Sequence, residues 1–270
     1  MNESANKQPL LLENTINKVS WITLNRPQQR NPLSSQMLSA LTNALSTASQ
    51  DSKVNAIVIA AIGPVYCAGH DLREMSHHKD EALEVQQERI RGILEQCSAM
   101  MLSIVRSPKA VIACVQGMAT AAGCQLVSAC DLAIAAETAT FCAPGVNIGG
   151  FCTTPLVGIG RNIHRKHAMA MALTGEAISA HEAARIGLIN EVVSPDRLIH
   201  RTGEQANLIA SKSTQGIGQG KADFYKQIDM PLEEAFNYAS EAMVRAMTTE
   251  DALEGTKAFL EKRAPRWHDS

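Results

Sequence analysis

Two short runs, "VNAIVIAAIG" (residues 54–63) and "KAVIACVQG" (residues 109–117), most constrain what this chain can fold into. Both are almost wholly apolar. A strand with one wet face alternates apolar and polar residues, so a short run without alternation fits burial on both faces. Such strands belong to a parallel sheet covered by helices. The intervening segments supply those helices. "SSQMLSALTNALSTASQD" places Met37, Leu38, Leu41, Ala44 and Leu45 on one helical face, with Ser34 or Ser35 as the cap. "KDEALEVQQERIRGILEQCSAMMLSIVRS" reads as a long amphipathic helix that ends before Pro108. "KVSWITLNRP", "DLAIAAE" and "ATFCAP" are further strand candidates, and "GMATAAGCQLVSACD" (residues 117–131) predicts a short helix opening in its Ala/Gly region. Strands alternating with helices imply right-handed βαβ crossovers.

Beyond about residue 155 the character changes. "NIHRKHAMAMALTG", "SAHEAARIG", "SPDRLIHRTGEQANLIASKS", "PLEEAFNYASEAMVRAM" and "TEDALEGTKAFLEKRA" all read as helices. The organisation is therefore an N-terminal tail (1–17), an α/β core (18–200) and a helical C-terminal region (201–270). Apolar positions of that last region, such as Leu232, Ala235, Ala239, Met243 and Met247, are expected to pack.

Composition narrows the function classes. Net charge is −2 and no basic patch is visible, which argues against nucleic acid as partner. The seven cysteines are odd in number, form no CxxC pair and lie mostly in apolar runs, so buried free thiols are expected rather than disulfides or zinc. "MNESANKQPLLLENTINK" lacks the cationic and apolar regions of a secretory signal and the arginines of a transit peptide. No stretch reaches the ~18 apolar residues of a membrane span. These features lead to the expectation of a soluble, cytoplasmic protein.

Two junctions concentrate the chemistry: "GPVYCAGHDLREM" (residues 63–75) and "GMATAAGCQLVSACD". Each sets small residues where a strand meets a helix. Free backbone N–H groups gather at helix starts, where the dipole favours negative charge. Two such donors from different junctions can meet on one oxygen, as an oxyanion hole requires. For either junction alone, tight turns and close helix packing would account for the small residues.

The residues at these junctions resemble the crotonase (enoyl-CoA hydratase/isomerase) superfamily. "LNRPQQRNPLSSQM" is similar to its N-terminal signature, "YCAGHDLREM" to its F-x-A-G-x-D loop, and "GMATAAGCQLVSACD" to its G-G-G-x-E segment. "TGEAISAHEAARIGLINEVV" and "GTKAFLEKRAP" resemble later signatures, so the likeness runs from about Val19 to Pro265. "PGVNIGGFCTTP" carries a likeness to one branch of the family. The resemblance implies an α/β crotonase (ClpP/crotonase-like) fold of stacked ββα units with a helical C-terminal trimerisation region. It implies a coenzyme A thioester as substrate or ligand, no covalently bound cofactor and no metal. It also implies a homo-oligomer, a trimer or dimer of trimers, with no membrane partner. Carried over by position, the oxyanion donors are the amides of His70 and Ala122. Arg30, Ala68, Asp71 and Lys262 fall where relatives contact CoA; ordinary surface charge is the competing reading for Arg30 and Lys262.

The acid–base set departs from the pattern. The resemblance places hydratase glutamates at Gln125 and Gly145, and a third acid, used by other members, at Thr153; none is a carboxylate here. An amide cannot take up a proton near neutral pH, so efficient hydration is doubtful. His70 is expected to contribute its backbone more than its ring, and Asp71 to cap the following helix. Asn147, Cys152, Thr153 and Thr154 fall on the loop expected to line an acyl pocket. Cys152 and Cys124 are expected to be inert thiols, and His77 and His78 to sit in a solvated loop. Three readings follow. The first is an acyl-CoA enzyme, of lyase or isomerase type in fatty acid metabolism, that stabilises a thioester enolate. The second is an inactive acyl-CoA-binding homologue serving as carrier, sensor or assembly partner. The third is an RNA-binding homologue, which the charge balance argues against.

Overall fold

The computed structural model describes residues 8–268. Its repeating unit is a long strand, a short strand and a helix. The N-terminal stretch supplies β1 (Leu11–Ile16), β2 (Val19–Leu24) and α1 (Ser35–Gln50). The next unit is β3 (Ala56–Ala61), β4 (Val65–Cys67), α2 (Leu72–Met75) and α3 (Leu83–Val105). Then come β5 (Ala110–Val115), β6 (Met118–Thr120) and α4 (Ala122–Ala129), followed by β7 (Leu132–Ala136), β8 (Thr140–Cys142), α5 (Pro155–Asn162) and α6 (Arg165–Thr174). The chain continues through β9 (Ile178–Ser179), α7 (Ala180–Arg185), β10 (Glu191–Val193), α8 (Leu198–Ala210), α9 (Thr214–Gln227), α10 (Leu232–Met247) and α11 (Glu250–Leu260).

Apart from the three-residue β10, which joins the first sheet, long strands go to one sheet and short strands to another. The first sheet has the order β1-β2-β3-β5-β7-β10, and the second β4-β6-β8-β9. Neighbours are parallel apart from β1 with β2 and β8 with β9. Burial follows the unbroken apolar runs. Ile57, Ile59, Val111 and Ala113 join the core shared with α1, α3 and α4. Their neighbours Val58, Ala60, Ile112 and Cys114 face α8 through Leu198 and Ala206. Both sheet faces are dry, so no polar residue could alternate in. Ser34 caps α1, its side chain accepting from the Met37 N–H.

Three expectations are revised. The segment expected as a tail contains β1. Only Leu11 of its six residues is buried, so backbone pairing with β2 holds it and no hydrophobic pattern announces it. The boundary at residue 200 falls inside α8, which covers the sheet. No local pattern in the sequence announces α9, which carries glycines at 216, 218 and 220. Its helix survives poor propensity because Lys221 anchors it to the core (below). On α10, Leu232, Met243 and Met247 are exposed, so the packing expected of them is not made within one chain. No helix among the described residues is long and apolar enough to cross a membrane.

Candidate active site

The two small-residue junctions abut. The β4–α2 turn carries Gly69 at φ +83°, and a Cβ there would lie 3.0 Å from the Thr120 carbonyl oxygen and 3.2 Å from the Ala122 nitrogen. Across the same contact, a Cβ on Gly123 would sit 2.2 Å from the Cys67 carbonyl oxygen. Only residues without side chains allow this approach. The flanking backbone is committed. The Ala68 N–H donates to the Arg30 carbonyl (3.0 Å), Leu33 to Gly69 (2.7 Å) and Ala121 to Cys142 (2.9 Å). Between them, the N–H groups of His70 and Ala122 donate to no group among the described residues. Ala122 opens α4, and the residue before it, Ala121, has no side chain with which to cap it. Ala121 itself adopts φ 50° and ψ −119°, a backbone conformation costly for any residue with a Cβ.

The three positions where carboxylates are missing differ sharply. Gln125 is buried, 7% exposed, and its carboxamide hydrogen-bonds to no described residue. It lies three residues beyond Ala122 on α4, and helical side chains lean toward the N-terminus, so it overlies the turn bearing the free Ala122 amide. Gly158 of α5 lies across from it; a Cβ there would meet Gln125 Cγ at 4.0 Å. Gly145 is closed off. Its N–H donates to Cys152 Sγ (3.2 Å), and its carbonyl accepts from Gly150 (2.9 Å). A Cβ at Gly145 would lie 2.8 Å from both the Cys152 nitrogen and the Phe151 carbonyl carbon. The position has therefore not merely lost an acid: the loop has folded back over the space a side chain would need. Thr153 is exposed, with its N–H on the Phe151 carbonyl (2.8 Å).

Of the residues expected at CoA, Arg30 and Ala68 are brought together by their backbone bond, and Arg30 is exposed. The Asp71 carboxylate caps α2 through the Arg73 N–H (3.2 Å) and pairs with the Arg73 guanidinium (2.8 Å). Hydrogen bonding to Arg73 holds its carboxyl below the ordinary range. Lys262 is exposed beyond α11, which packs on α9 and α10, so one chain does not bring it to the junctions. Asn147 lies against Gly175, at the end of α6. Burial raises the thiol pKa of Cys152, Cys124 and Cys67, the last to about 12, so these are unreactive thiols. The His70 ring keeps Nε2 buried without a partner, and burial lowers its pKa. His77 and His78 are exposed, on a loop tied down by Arg89 through Ser76 (2.9 Å) and Glu81 (2.7 Å).

Asn31 went unnoticed in the sequence. Fully buried, it donates to the Ile62 (2.9 Å) and Val65 (2.8 Å) carbonyls and accepts from the Arg26 N–H (2.8 Å). It fixes the first signature to the β3–β4 turn. The available clue was an Asn beside Arg30 in a turn-like stretch, a residue type that tolerates the left-handed backbone it adopts, φ 50°.

With this geometry in place, the comparisons with known proteins decide the family. The family model described as enoyl-CoA hydratase/isomerase matches residues 14–270. The chain belongs to that family. Among curated relatives, "Enoyl-CoA hydratase domain-containing protein 3, mitochondrial" of Homo sapiens is 41% identical over 91% of this chain and 79% of its own length. Its Danio rerio counterpart is 40% identical over 100% of this chain and 91% of its own. This is the branch to which "PGVNIGGFCTTP" bears a likeness. The crystal structure of the human protein superposes with TM-score 0.91 at 40% identity, covering 96% of this chain and 100% of that one. An enoyl-CoA hydratase from Mycobacterium smegmatis superposes at 0.90 with 45% identity, covering 97% and 100%. The ββα stacking expected of the crotonase fold is the observed architecture. The cytoplasmic expectation is overturned, because these curated relatives of the enoyl-CoA hydratase/isomerase family are named as mitochondrial proteins.

Proposed function

We propose that this member of the enoyl-CoA hydratase/isomerase family binds acyl-CoA thioesters and stabilises a thioester enolate with the amides of His70 and Ala122. One observation carries the reading: two uncommitted N–H groups on backbones that touch through Gly69, one at the start of α4. Loss of an α-proton moves negative charge to the thioester oxygen, and fixed donors at that oxygen lower the barrier; removing one such donor typically costs ~10²–10³ in rate. Rapid hydration is not the reaction in this reading. It needs groups that exchange protons at the added water, and position 125 offers an amide while position 145 has no room for a side chain. Coenzyme A enters as part of the substrate, held near Arg30 and the Ala68–Asp71 backbone, with neither a covalent cofactor nor a metal. The exposed apolar residues of the last helices, among them Phe236, Met243, Phe259 and Leu260, serve as subunit contacts in a trimer or dimer of trimers. That assembly would bring Lys262 to a neighbour's CoA.

The deciding experiment incubates the protein with a panel of saturated, unsaturated and hydroxylated acyl-CoAs in deuterated water. Exchange of the α-proton is expected. Tight CoA binding without exchange or turnover on any of them would instead support the reading as an inactive acyl-CoA-binding homologue. Absence of binding would end both. Light scattering tests the assembly, with a monomer mass contradicting it.

A further inference from the structure

A cleft of 950 Å³ opens at the end of the sheet opposite the two junctions. The β1–β2 turn, the turn after α1, the turn before β5 and the start of α9 enclose it. β3 and β5 begin beside it and run six residues each, about 20 Å, toward the junctions. None of the residues expected at the thioester or at CoA lines it. Its construction accounts for one glycine of α9. A Cβ on Gly218 would lie 2.7 Å from the Pro108 carbonyl oxygen, so only a residue without a side chain lets α9 settle on the turn before β5.

The charge around this cleft has one sign. Lys18, Lys53 and Lys109 border it with His268, and no aspartate or glutamate does. Asp51 turns its carboxylate to the Lys53 N–H (2.8 Å), and Asp251 answers His268 and the Ser213 hydroxyl (2.5 Å). Lys109 is the sharpest case. It is 4% exposed, and its ammonium donates to the Ala48 (2.8 Å) and Asp51 carbonyls. It pairs with no carboxylate among the described residues, whereas the buried Lys221 has Asp131 at 2.7 Å. An ammonium has three N–H groups, so one is left over. Burial outweighs the nearby Asp51 charge and lowers its pKa. A buried cation without a counter-ion is costly to keep. The start of α9 adds donors. Ser213 caps it by accepting from the Gly216 N–H (2.9 Å), which leaves the N–H groups of Thr214 and Gln215 without an intrahelical partner. The Thr214 hydroxyl is buried and unpaired among the described residues.

A cleft walled by charge of one sign concentrates ions of the other, and a helix start favours anions. A single small anion answers one lysine. A chain of phosphates answers several and offers acceptor oxygens to the amides of Thr214 and Gln215. No Phe, Tyr or Trp lines the cleft, so nothing there stacks on a base. We propose that this cleft is a second binding site, which takes a small ligand bearing a di- or triphosphate and reads it through the phosphates. The inference is independent of the acyl-thioester reading above.

Calorimetric titration of the full chain at low salt tests it with inorganic tripolyphosphate, ATP and inorganic phosphate. Tripolyphosphate and ATP are expected to bind comparably, and both at least about tenfold more tightly than phosphate, the yield of one further charge-assisted hydrogen bond. Lys18→Ala combined with Lys53→Ala should weaken tripolyphosphate binding by about tenfold or more, and Lys109→Met should do the same. Arg30→Ala combined with Lys262→Ala, at the positions expected near CoA, should leave it unchanged. Absence of tripolyphosphate binding at millimolar concentration overturns the proposal, as does affinity unchanged in the Lys18/Lys53 variant. Binding lost in the Arg30/Lys262 variant would assign the phosphates to the CoA position and overturn it equally. Binding of ATP without tripolyphosphate would mean that the nucleoside is read, against the proposal. Should Lys109→Met not fold, the Lys18/Lys53 variant still decides, since both side chains are exposed.

Discussion

Gln125 and Asp131 lie six residues apart in one segment, both polar and both largely buried, yet the structure treats them in opposite ways. Every oxygen of Asp131 is in use. Oδ2 accepts from the Val111 N–H (2.8 Å) and from Lys221 Nζ (2.7 Å), and Oδ1 accepts from the Tyr225 hydroxyl (3.1 Å). Lys221 in turn donates to the carbonyls of Ile104 (2.9 Å) and Lys109 (3.1 Å). This network fastens α9 to the edge of the core. The carbonyl oxygen of Gln125 has no partner among the described residues. A saturated buried polar group is there for the fold, whereas an idle one costs stability and points to something the chain must hold. The segment is therefore architecture at Asp131 and, in the proposed reading, site at Gln125.

Substitutions can break or sharpen that contrast. The largest effect is expected at Asp131→Ala, which strands the Lys221 ammonium, 8% exposed, without its counter-ion. About 3–5 kcal/mol of stability should be lost in urea denaturation. A loss below ~1 kcal/mol, the worth of a surface pair, would remove the architectural half of the contrast. Next comes Gly145→Glu. Its Cβ would press on the Phe151–Cys152 backbone, so a cost of about 1–3 kcal/mol is expected with no gain in crotonyl-CoA hydration, even when combined with Gln125→Glu. If that double variant keeps full stability and hydrates at ~1 s⁻¹ or faster, the loop is not the closure described here.

Gln125→Leu should act in the opposite direction to Asp131→Ala. Removing an idle buried amide should raise stability by ~1 kcal/mol, about 2–4 °C in Tm by differential scanning calorimetry. A destabilised Gln125→Leu would mean that the amide supports the fold after all. Smallest is Ala121→Gly. Relief of the φ 50° strain, partly offset by glycine's greater unfolded-state entropy, should leave a gain of under ~1 kcal/mol in the same scans. A loss there would show that the Ala121 methyl packs usefully against the β4–α2 turn.

Much of the architecture was legible in the residues. The runs at 54–63 and 109–117 required a sheet dry on both sides. Ser34 announced α1, and the small residues at 68–69 and 121–123 announced two junctions with room for something to approach. β1 was not legible, because an edge strand held by backbone pairing needs no apolar pattern. Nor was α9, whose glycines weaken the local preference for a helix. The site divides in the same way. That positions 125 and 145 lack carboxylates is written in the sequence. That the first remains uncommitted while the second is sealed by the returning loop is not.

For the α/β core, the sequence by itself determined which strand faces are buried, where α1 starts and which chemical groups are available, since these depend on spacing over a few residues. The tertiary structure alone decided which polar groups are satisfied. Asp131 finds its partner 90 residues away on α9, Gly145 meets a backbone seven residues on, and the amides of His70 and Ala122 become neighbours only when two junctions from different ββα units press together. Hydrogen bonding and steric closure depend on distance in space, and only folding sets those distances.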